Sequence, residues 1–337
     1  MNRRDFLSGL GVFVGTLAAG GVMSIPKAVG ASEAVNAAVP EIVSGLAELD
    51  ALTRNVYIPA LVENFFRSCP VLHMLEKKSV EIDGGQTVIH PVPHRTVCED
   101  GCPDDSLLGA SFGWGQYYVS LVLDERRIPK EQLSLLAPRF QAASVELNDV
   151  VGRHMYEGDP SGNGIVSLKD AVDSGIECDT YGGINRSKHR NLNGNTRVTG
   201  PHRKQLSLDD MKWCMEAATN DEERPNIILA GEGAWQQYYK LLSPPHRCSD
   251  VGFANDGYQS LMYHGIPIVC DQRCQPNRMY FLNTKFWDLY KLKDMWFSFA
   301  GWKRVPNSEK LVGVILVHMI LACSSPRMNS KLILGEI

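Results

Sequence analysis

The chain carries no GxSxG elbow, no Walker phosphate loop, no HExxH helix and no catalytic cysteine signature. The motifs that mark common hydrolases, P-loop enzymes and zinc proteases are therefore missing, and nothing in the sequence reads as an enzyme. Basic charge is also scarce. Lys and Arg total 34 against 38 Asp and Glu in 337 residues, a formal net charge of −4. The first 31 residues hold Arg3, Arg4 and Lys27 against Asp5, which leaves the remainder more acidic still. A balance of that sign does not suit a protein that neutralises phosphates along DNA. Long hydrophobic runs are absent too. Residues 311–323, LVGVILVHMILAC, are too short to cross a bilayer and are expected to form a buried strand.

What is present is a globular composition. With 44% hydrophobic and 21% charged residues, the chain can bury one large core or two modest ones. Its nine cysteines are odd in number and irregular in spacing, and Cys214 and Cys323 lie in apolar surroundings. That pattern suits reduced, buried thiols of a cytoplasmic protein. The beginning of the chain points elsewhere. Residues 1–31 place Arg3-Arg4 ahead of Phe6-Leu7, then an uncharged stretch 7–25 with five glycines, then Lys27 and a small-residue site ending at Ala31. This is the layout of a twin-arginine export signal cut after Ala31, and it is too weakly apolar for a stable membrane span. The same segment also reads as a helical arm packed inside an assembly. After export, Cys98 with Cys102 and Cys270 with Cys274 would be the pairs nearest in sequence to oxidise.

Periodicity predicts a long helix over 137–156. Leu136, Phe140, Ala143, Leu147, Val150, Val151 and Met155 recur at three- and four-residue spacing, Pro138 falls in the first turn, and Gly158 and Pro160 stop the run. At about 1.5 Å per residue it is a rod of roughly 30 Å. Residues 265–269 and 279–282 read as two short strands joined in a hairpin. His90, His94, Cys98 and Cys102 recur every four residues and are possible zinc ligands, as are His264, Cys270 and Cys274. The first group lies on a segment that Pro91 and Pro93 bar from helix, and neither group has the short CxxC knuckle, so no metal and no cofactor is assigned. Gly231-Glu232-Gly233 after a candidate strand resembles a dinucleotide turn only superficially, because Gln236 stands where the third glycine belongs.

The most informative stretch is 164–187, GIVSLKDAVDSGIECDTYGGINRS, which follows the long helix. Glycine pairs such as Gly182-Gly183 let a backbone take positive φ and approach a neighbour closely. Ahead of it stand an apolar, aromatic arm over 52–78 and DGGQTVIHPV over 83–92, where a glycine pair opens a strand. The returning strand is expected over 111–127, SFGWGQYYVSLVLDERR, and beyond the glycine loop come a helix, buried strand and helix over 206–242 and a strand pair over 265–284. In this order the chain resembles the major capsid proteins of tailed bacteriophages, the Hong Kong ninety-seven type of shell subunit, over roughly residues 46–337.

That resemblance implies an α+β fold. Its parts would be the leader 1–31, an amino-terminal arm 32–82, an extended hairpin loop 83–124, a peripheral domain 125–205 with a long spine helix, an axial domain 206–300, and returning peripheral strands 301–337. It implies a structural subunit that assembles with itself into hexamers and pentamers of an icosahedral shell, in the host cytoplasm and then the virion. Scaffold, protease and portal proteins are the further partners it implies, with DNA enclosed but not read by sequence. Tyr57, Phe65, Phe66, Trp114, Tyr117 and Tyr181 are the expected intersubunit contacts, whereas Asp271 and Cys274, where the family carries similar residues, are expected to be structural. The family sometimes joins subunits through a lysine and an asparagine, and no motif here assigns such a pair. Two other readings stay open: an exported periplasmic binding or redox protein, and a cellular nanocompartment shell of the same fold.

Overall fold

The 3.6-residue rhythm of the central segment becomes one helix, Leu136–Glu157, of 22 residues. The computed structural model describes residues 13–16, 39–93, 96–97, 103–104, 107–124, 136–158, 164–200, 205–242 and 260–335. Leu136, Phe140, Ala143, Leu147, Val151 and Met155 are buried along one face, and Val150 is half-exposed beside them. Gly158, at φ +83°, ends the helix and donates its N–H to His154 O at 2.9 Å, the left-handed close for which glycine is suited.

The described residues fall in two compact units, the first drawn from Met1–Phe65, Gln116–Val150 and Asp294–His318 and the second from Phe66–Gly115, Val151–Lys293 and Met319–Ile337. In the first unit the arm is helical, running as Val39–Leu52, a π-helical turn Thr53–Tyr57, and Ile58–Ser68. The π turn is fixed by side chains. Thr53 Oγ1 donates to Leu49 O at 2.8 Å and accepts from Trp302 Nε1 at 3.0 Å, while Asp50 Oδ1 takes the Trp302 N–H at 2.9 Å. Trp302 lies on strand Ser298–Arg304, antiparallel to the first half of Lys310–Cys323, with a bulge between Phe299 and Trp302. Strand Lys310–Cys323 is the apolar run expected at 311–323, and Leu311, Ile315 and Val317 alternate inward along it. Phe13–Thr16 lies antiparallel to residues 117–120 of strand Gly115–Asp124.

The second unit is built on a six-stranded sheet in the order Asn195–Val198, Ser330–Ile333, Arg278–Leu282, Ile227–Ala230, Ile266–Cys270 and Ser260–Tyr263. Ile227–Ala230, Arg278–Leu282 and Ser330–Ile333 are buried at every position, as strands covered on both faces must be. Helices Leu208–Ala217 and Glu232–Leu241 cover one face, through Met211, Cys214, Ala234 and Tyr238 against Ile228, Phe281 and Leu332. Strand Trp287–Leu292 pairs with residues 319–323 on one side and, in parallel, with Val80–Ile82 on the other.

The expected hairpin between 265–269 and 279–282 does not form. Ile227–Ala230 lies between the two strands, parallel to Ile266–Cys270 and antiparallel to Arg278–Leu282. The hairpin partner of Ile266–Cys270 is Ser260–Tyr263, turning through His264 and Gly265 at φ +48° and +81°. Strands this apolar are all drawn to the sheet centre, and alternation along one strand does not name its neighbour.

The Gly231-Glu232-Gly233 turn serves this packing. A Cβ on Gly231 would stand 2.6 Å from the Gln275 carbonyl carbon and 2.8 Å from Pro276 Cα, and one on Gly233 2.8 Å from Pro276 O. The glycines admit main chain, in place of a phosphate. Gly231→Ala is accordingly expected to destabilise the fold by about 3 kcal/mol in urea unfolding, since the obstacle is backbone that cannot rotate away. A loss under about 1 kcal/mol would show that residues 275–276 yield.

Candidate assembly site: the hairpin and the glycine turn

Strands Thr87–Pro93 and Leu107–Gly113 form a two-stranded ladder in register from Thr87↔Gly113 to Pro93↔Leu107, and Thr96–Val97 pairs with Pro103–Asp104 beyond it. The hairpin lies within residues 83–124, where the extended loop is expected. Its return differs from the single strand expected over 111–127, which breaks at Trp114 into Leu107–Gly113 and Gly115–Asp124. A close approach lies at the break: a Cβ on Gly115 would stand 2.6 Å from the Ile165 side chain and 2.8 Å from Ile165 N. Trp114, largely buried, anchors the break by donating Nε1–H to Gly85 O at 2.8 Å. Residues 125–127 lie outside the described residues.

The glycine turn holds the base of the hairpin. Thr180–Tyr181 pairs with Ile184–Asn185 across Gly182 and Gly183, both at positive φ, the two-residue turn that glycine permits. A Cβ on Gly182 would stand 2.7 Å from Ala110 Cβ and 3.0 Å from the Phe112 ring, and Gly182 O accepts the Ser111 N–H at 2.9 Å. Tyr181 pins the turn from the other side, its hydroxyl accepting from Cys323 N at 2.8 Å and donating to Cys323 O at 3.0 Å.

Below the turn lies a buried ionic cluster that sequence reading missed. Lys331 Nζ, fully buried, meets Asp173 Oδ1 at 2.7 Å, Glu177 Oε2 at 2.6 Å and Lys169 O at 3.0 Å. Glu177 is also gripped by both terminal nitrogens of Arg278, at 2.9 and 2.6 Å. Asp173 Oδ2 accepts three main-chain N–H groups, from Gly175, Glu177 and Cys178. Burial alone would push both carboxyls up. The Lys331 ammonium, with the backbone amides on Asp173 and the Arg278 guanidinium on Glu177, instead holds them below the usual carboxylate range. Arg186 stands alongside, donating to Asp173 O at 2.7 Å, Ala171 O at 3.3 Å, and the carbonyls of Leu192 and Asp170, with its guanidinium 5.2 Å from the Tyr181 ring centre. The local signal was slight, since Lys331 stands between the polar Asn329-Ser330 and the apolar Leu332-Ile333-Leu334.

The six expected contact residues fall mostly inside the chain. Phe65, Tyr117, Phe66 and Tyr181 are 3% exposed or less and Trp114 is 8% exposed. Tyr57 is half-exposed and stacks on Phe140 with ring centres 4.4 Å apart. Among the hairpin side chains whose burial is described, the large apolar one most open is Ile89, 71% exposed and lying over Gly109, where a Cβ would stand 2.8 Å from its methyl group.

Of the zinc candidates, His94, Cys98 and Cys102 lie outside the described residues, and His90 is buried with Nδ1 2.7 Å from the Tyr290 hydroxyl. Burial pushes the His90 imidazole down, and Asp288, 3.9 Å from Nε2, opposes that. His264 is exposed in its turn, Cys270 ends the strand that follows, and Cys274 is buried with Sγ 3.8 Å from Arg278 O. Asp271 and Cys274 do structural work. Tyr156, near the end of the long helix, donates its hydroxyl to Asp271 Oδ2 at 2.8 Å, and Cys274 N donates to Asp271 O at 3.1 Å. The six cysteines among the described residues are free thiols, and burial pushes both Cys214 and Cys323 up to about 12.

No family model matches the sequence, and no curated protein matches it. Solved structures do. The chain superposes on the cyanophage A-1(L) capsid asymmetric unit with a TM-score of 0.56 at 18% identity, over 79% of this chain and 92% of that one. A structure of Mycobacterium phage Adephagia gives 0.52 at 11% identity, covering 80% and 90%. The SrpI encapsulin complex from Synechococcus elongatus gives 0.51 at 9% identity, covering 79% and 88%. These superpositions span about nine-tenths of each of those chains, and the protein accordingly has the α+β fold of tailed-phage capsid subunits, the Hong Kong ninety-seven type.

Proposed function

We propose that the chain is the structural subunit of a closed icosahedral shell, assembled from hexamers and pentamers of itself around phage DNA. The observation that carries this reading is the hairpin Thr87–Pro93/Leu107–Gly113. Its base is locked by the Gly182 turn while Ile89 projects an uncovered apolar side chain, and an exposed apolar element of this kind makes physical sense when a neighbour covers it. The arm 32–82 and loop 83–124 supply the surfaces between copies, with Tyr57 at hand for a direct contact. Trp114, Tyr117, Tyr181, Phe65 and Phe66 act by fixing the elements that make contact. Residues 125–205 with 301–337 form the peripheral domain and 206–300 the axial domain. The role is structural, not catalytic; scaffold, protease and portal proteins would meet the shell in the host cytoplasm.

The likeness to an encapsulin favours one other reading, a cellular nanocompartment with the same mechanics and a different cargo. Export through the leader 1–31 would compete with either. Among the described residues no helix is long and apolar enough to cross a membrane. Electron microscopy and sedimentation of the purified full chain, and of a chain beginning at Ser32, are expected to show capsomers or closed particles. A monomer at high concentration under every salt condition overturns the shell reading. Native protein beginning at Ser32 and recovered from the periplasm would favour export.

A further inference from the structure

A cleft of about 380 Å³ opens beside the glycine turn, lined by Ser174, Asn185, Arg186 and Asn193 together with the exposed Asp179. Its charge is out of balance. Three cations lie buried in and behind it, Lys331, Arg278 and Arg186, against two buried carboxylates, Asp173 and Glu177. Lys331 takes an oxygen of each carboxylate and Arg278 holds Glu177 by both of its oxygens. Arg186, 1% exposed, is left with main-chain carbonyl oxygens alone. Its Nε has no acceptor, and Asn193 Oδ1 has no donor, although both atoms are buried.

We propose that this cleft is a carboxylate-binding site, filled either by an acidic side chain of a second copy of this chain or by a free carboxylate ion. One carboxylate oxygen accepts from Arg186 Nε, and the other from Asn193, whose amide turns over to present Nδ2. The Arg186 Nε–H then has an acceptor, and a cation whose own hydrogen bonds reach only main-chain carbonyls gains a direct partner of opposite sign. Burial pushes the Arg186 guanidinium down, and the nearby Asp173 opposes this, the direction expected of a cation short of an anion. Asp179 disfavours a polyanion, so a singly charged carboxylate fits better than a phosphate group. The site itself follows from the geometry of one chain. Only the assignment of a neighbour's side chain to it rests on the shell reading.

The test uses the full chain held as unassembled subunits. Sodium acetate titrated against sodium chloride at equal ionic strength is expected to move the Arg186 Nε–H resonance saturably, and Asn193→Asp, which places a like charge in the cleft, is expected to weaken that binding at least tenfold. Arg186 itself is left intact because it organises the loop. If Asn193→Asp also raises the concentration needed for assembly at least tenfold, at unchanged melting temperature, the natural occupant is a neighbour's acidic side chain. Normal assembly with weakened acetate binding assigns the site to a free carboxylate. The absence of a saturable shift in the wild-type chain overturns the proposal, and that outcome is independent of whether particles form.

Discussion

Lys331→Met is expected to lower subunit stability by about 3–5 kcal/mol, and the apparent melting temperature by on the order of 10 °C. Methionine fills much the same volume, so the loss is electrostatic. It strands Asp173 and Glu177, both buried, with one carboxylate left to Arg278 and the other to backbone amides. Breaking one partner out of a buried ionic cluster costs far more than the cluster is worth against an apolar replacement of the whole. The pH dependence has a definite sign. Both carboxyls lie below their ordinary range in the folded chain, so their stabilisation is complete above the unfolded range of about 4 and is lost as pH falls through the folded values. The wild-type advantage over Lys331→Met is therefore expected to narrow in acid. Urea unfolding of both proteins at neutral and acidic pH measures this, and a neutral-pH difference under about 1 kcal/mol would mean the loop relaxes to hydrate its carboxylates.

Phe65→Asp and Ile89→Asp are expected to fail in opposite ways. Phe65 is fully buried, packed edge-to-face with ring centres 5.7 Å from Trp296 and 5.3 Å from Phe297. Removing such a ring costs about 3–5 kcal/mol before the charge is counted, and an unpaired buried carboxylate adds several more, so Phe65→Asp is expected to yield no folded subunit. Ile89 is exposed, and surface changes of this kind usually stay within about 0.5 kcal/mol. Ile89→Asp should therefore unfold at the wild-type urea concentration while losing particle formation at least tenfold, read as the protein concentration at which capsomers first sediment. Wild-type assembly by Ile89→Asp would remove the hairpin from the contact surface.

Much of this architecture was legible because it obeys simple periods. The long helix declares itself at 3.6 residues, the strand Lys310–Cys323 by an apolar run of strand length, and the hairpin by the glycines that precede it. What was not legible is partnership. Ile266–Cys270 and Arg278–Leu282 are strands as expected, yet the strand inserted between them comes from residues 227–230, and no local pattern encodes that choice. The break at Trp114 adjoins Gly115, which meets Ile165 some fifty residues further along the chain, a contact no local pattern announces. Aromatic residues announce burial without saying against what, which is why Phe65, Phe66, Tyr117 and Tyr181 proved to be covered by their own chain. The ionic cluster needed Asp173, Glu177, Arg186, Arg278 and Lys331 to be brought together by a fold, and no local pattern groups them.

The hairpin forms a two-stranded sheet of its own among the described residues, and the chemistry of its rims decides what kind of polymer can grow from it. On one rim the Ser111 N–H is turned outward and bonded to Gly182 O, so Ser111 and its partner Ile89 are a pair without mutual hydrogen bonds. By alternation, Pro91 and Pro93 belong to the same set, and their nitrogens, which carry no hydrogen, face the opposite rim. That rim offers carbonyls with few donors between them, a poor template on which to zip another strand. An edge of this kind guards against running on into fibrils, and if the chain builds the proposed shell, growth is left to side-chain surfaces, whose curvature can bring a lattice round to meet itself.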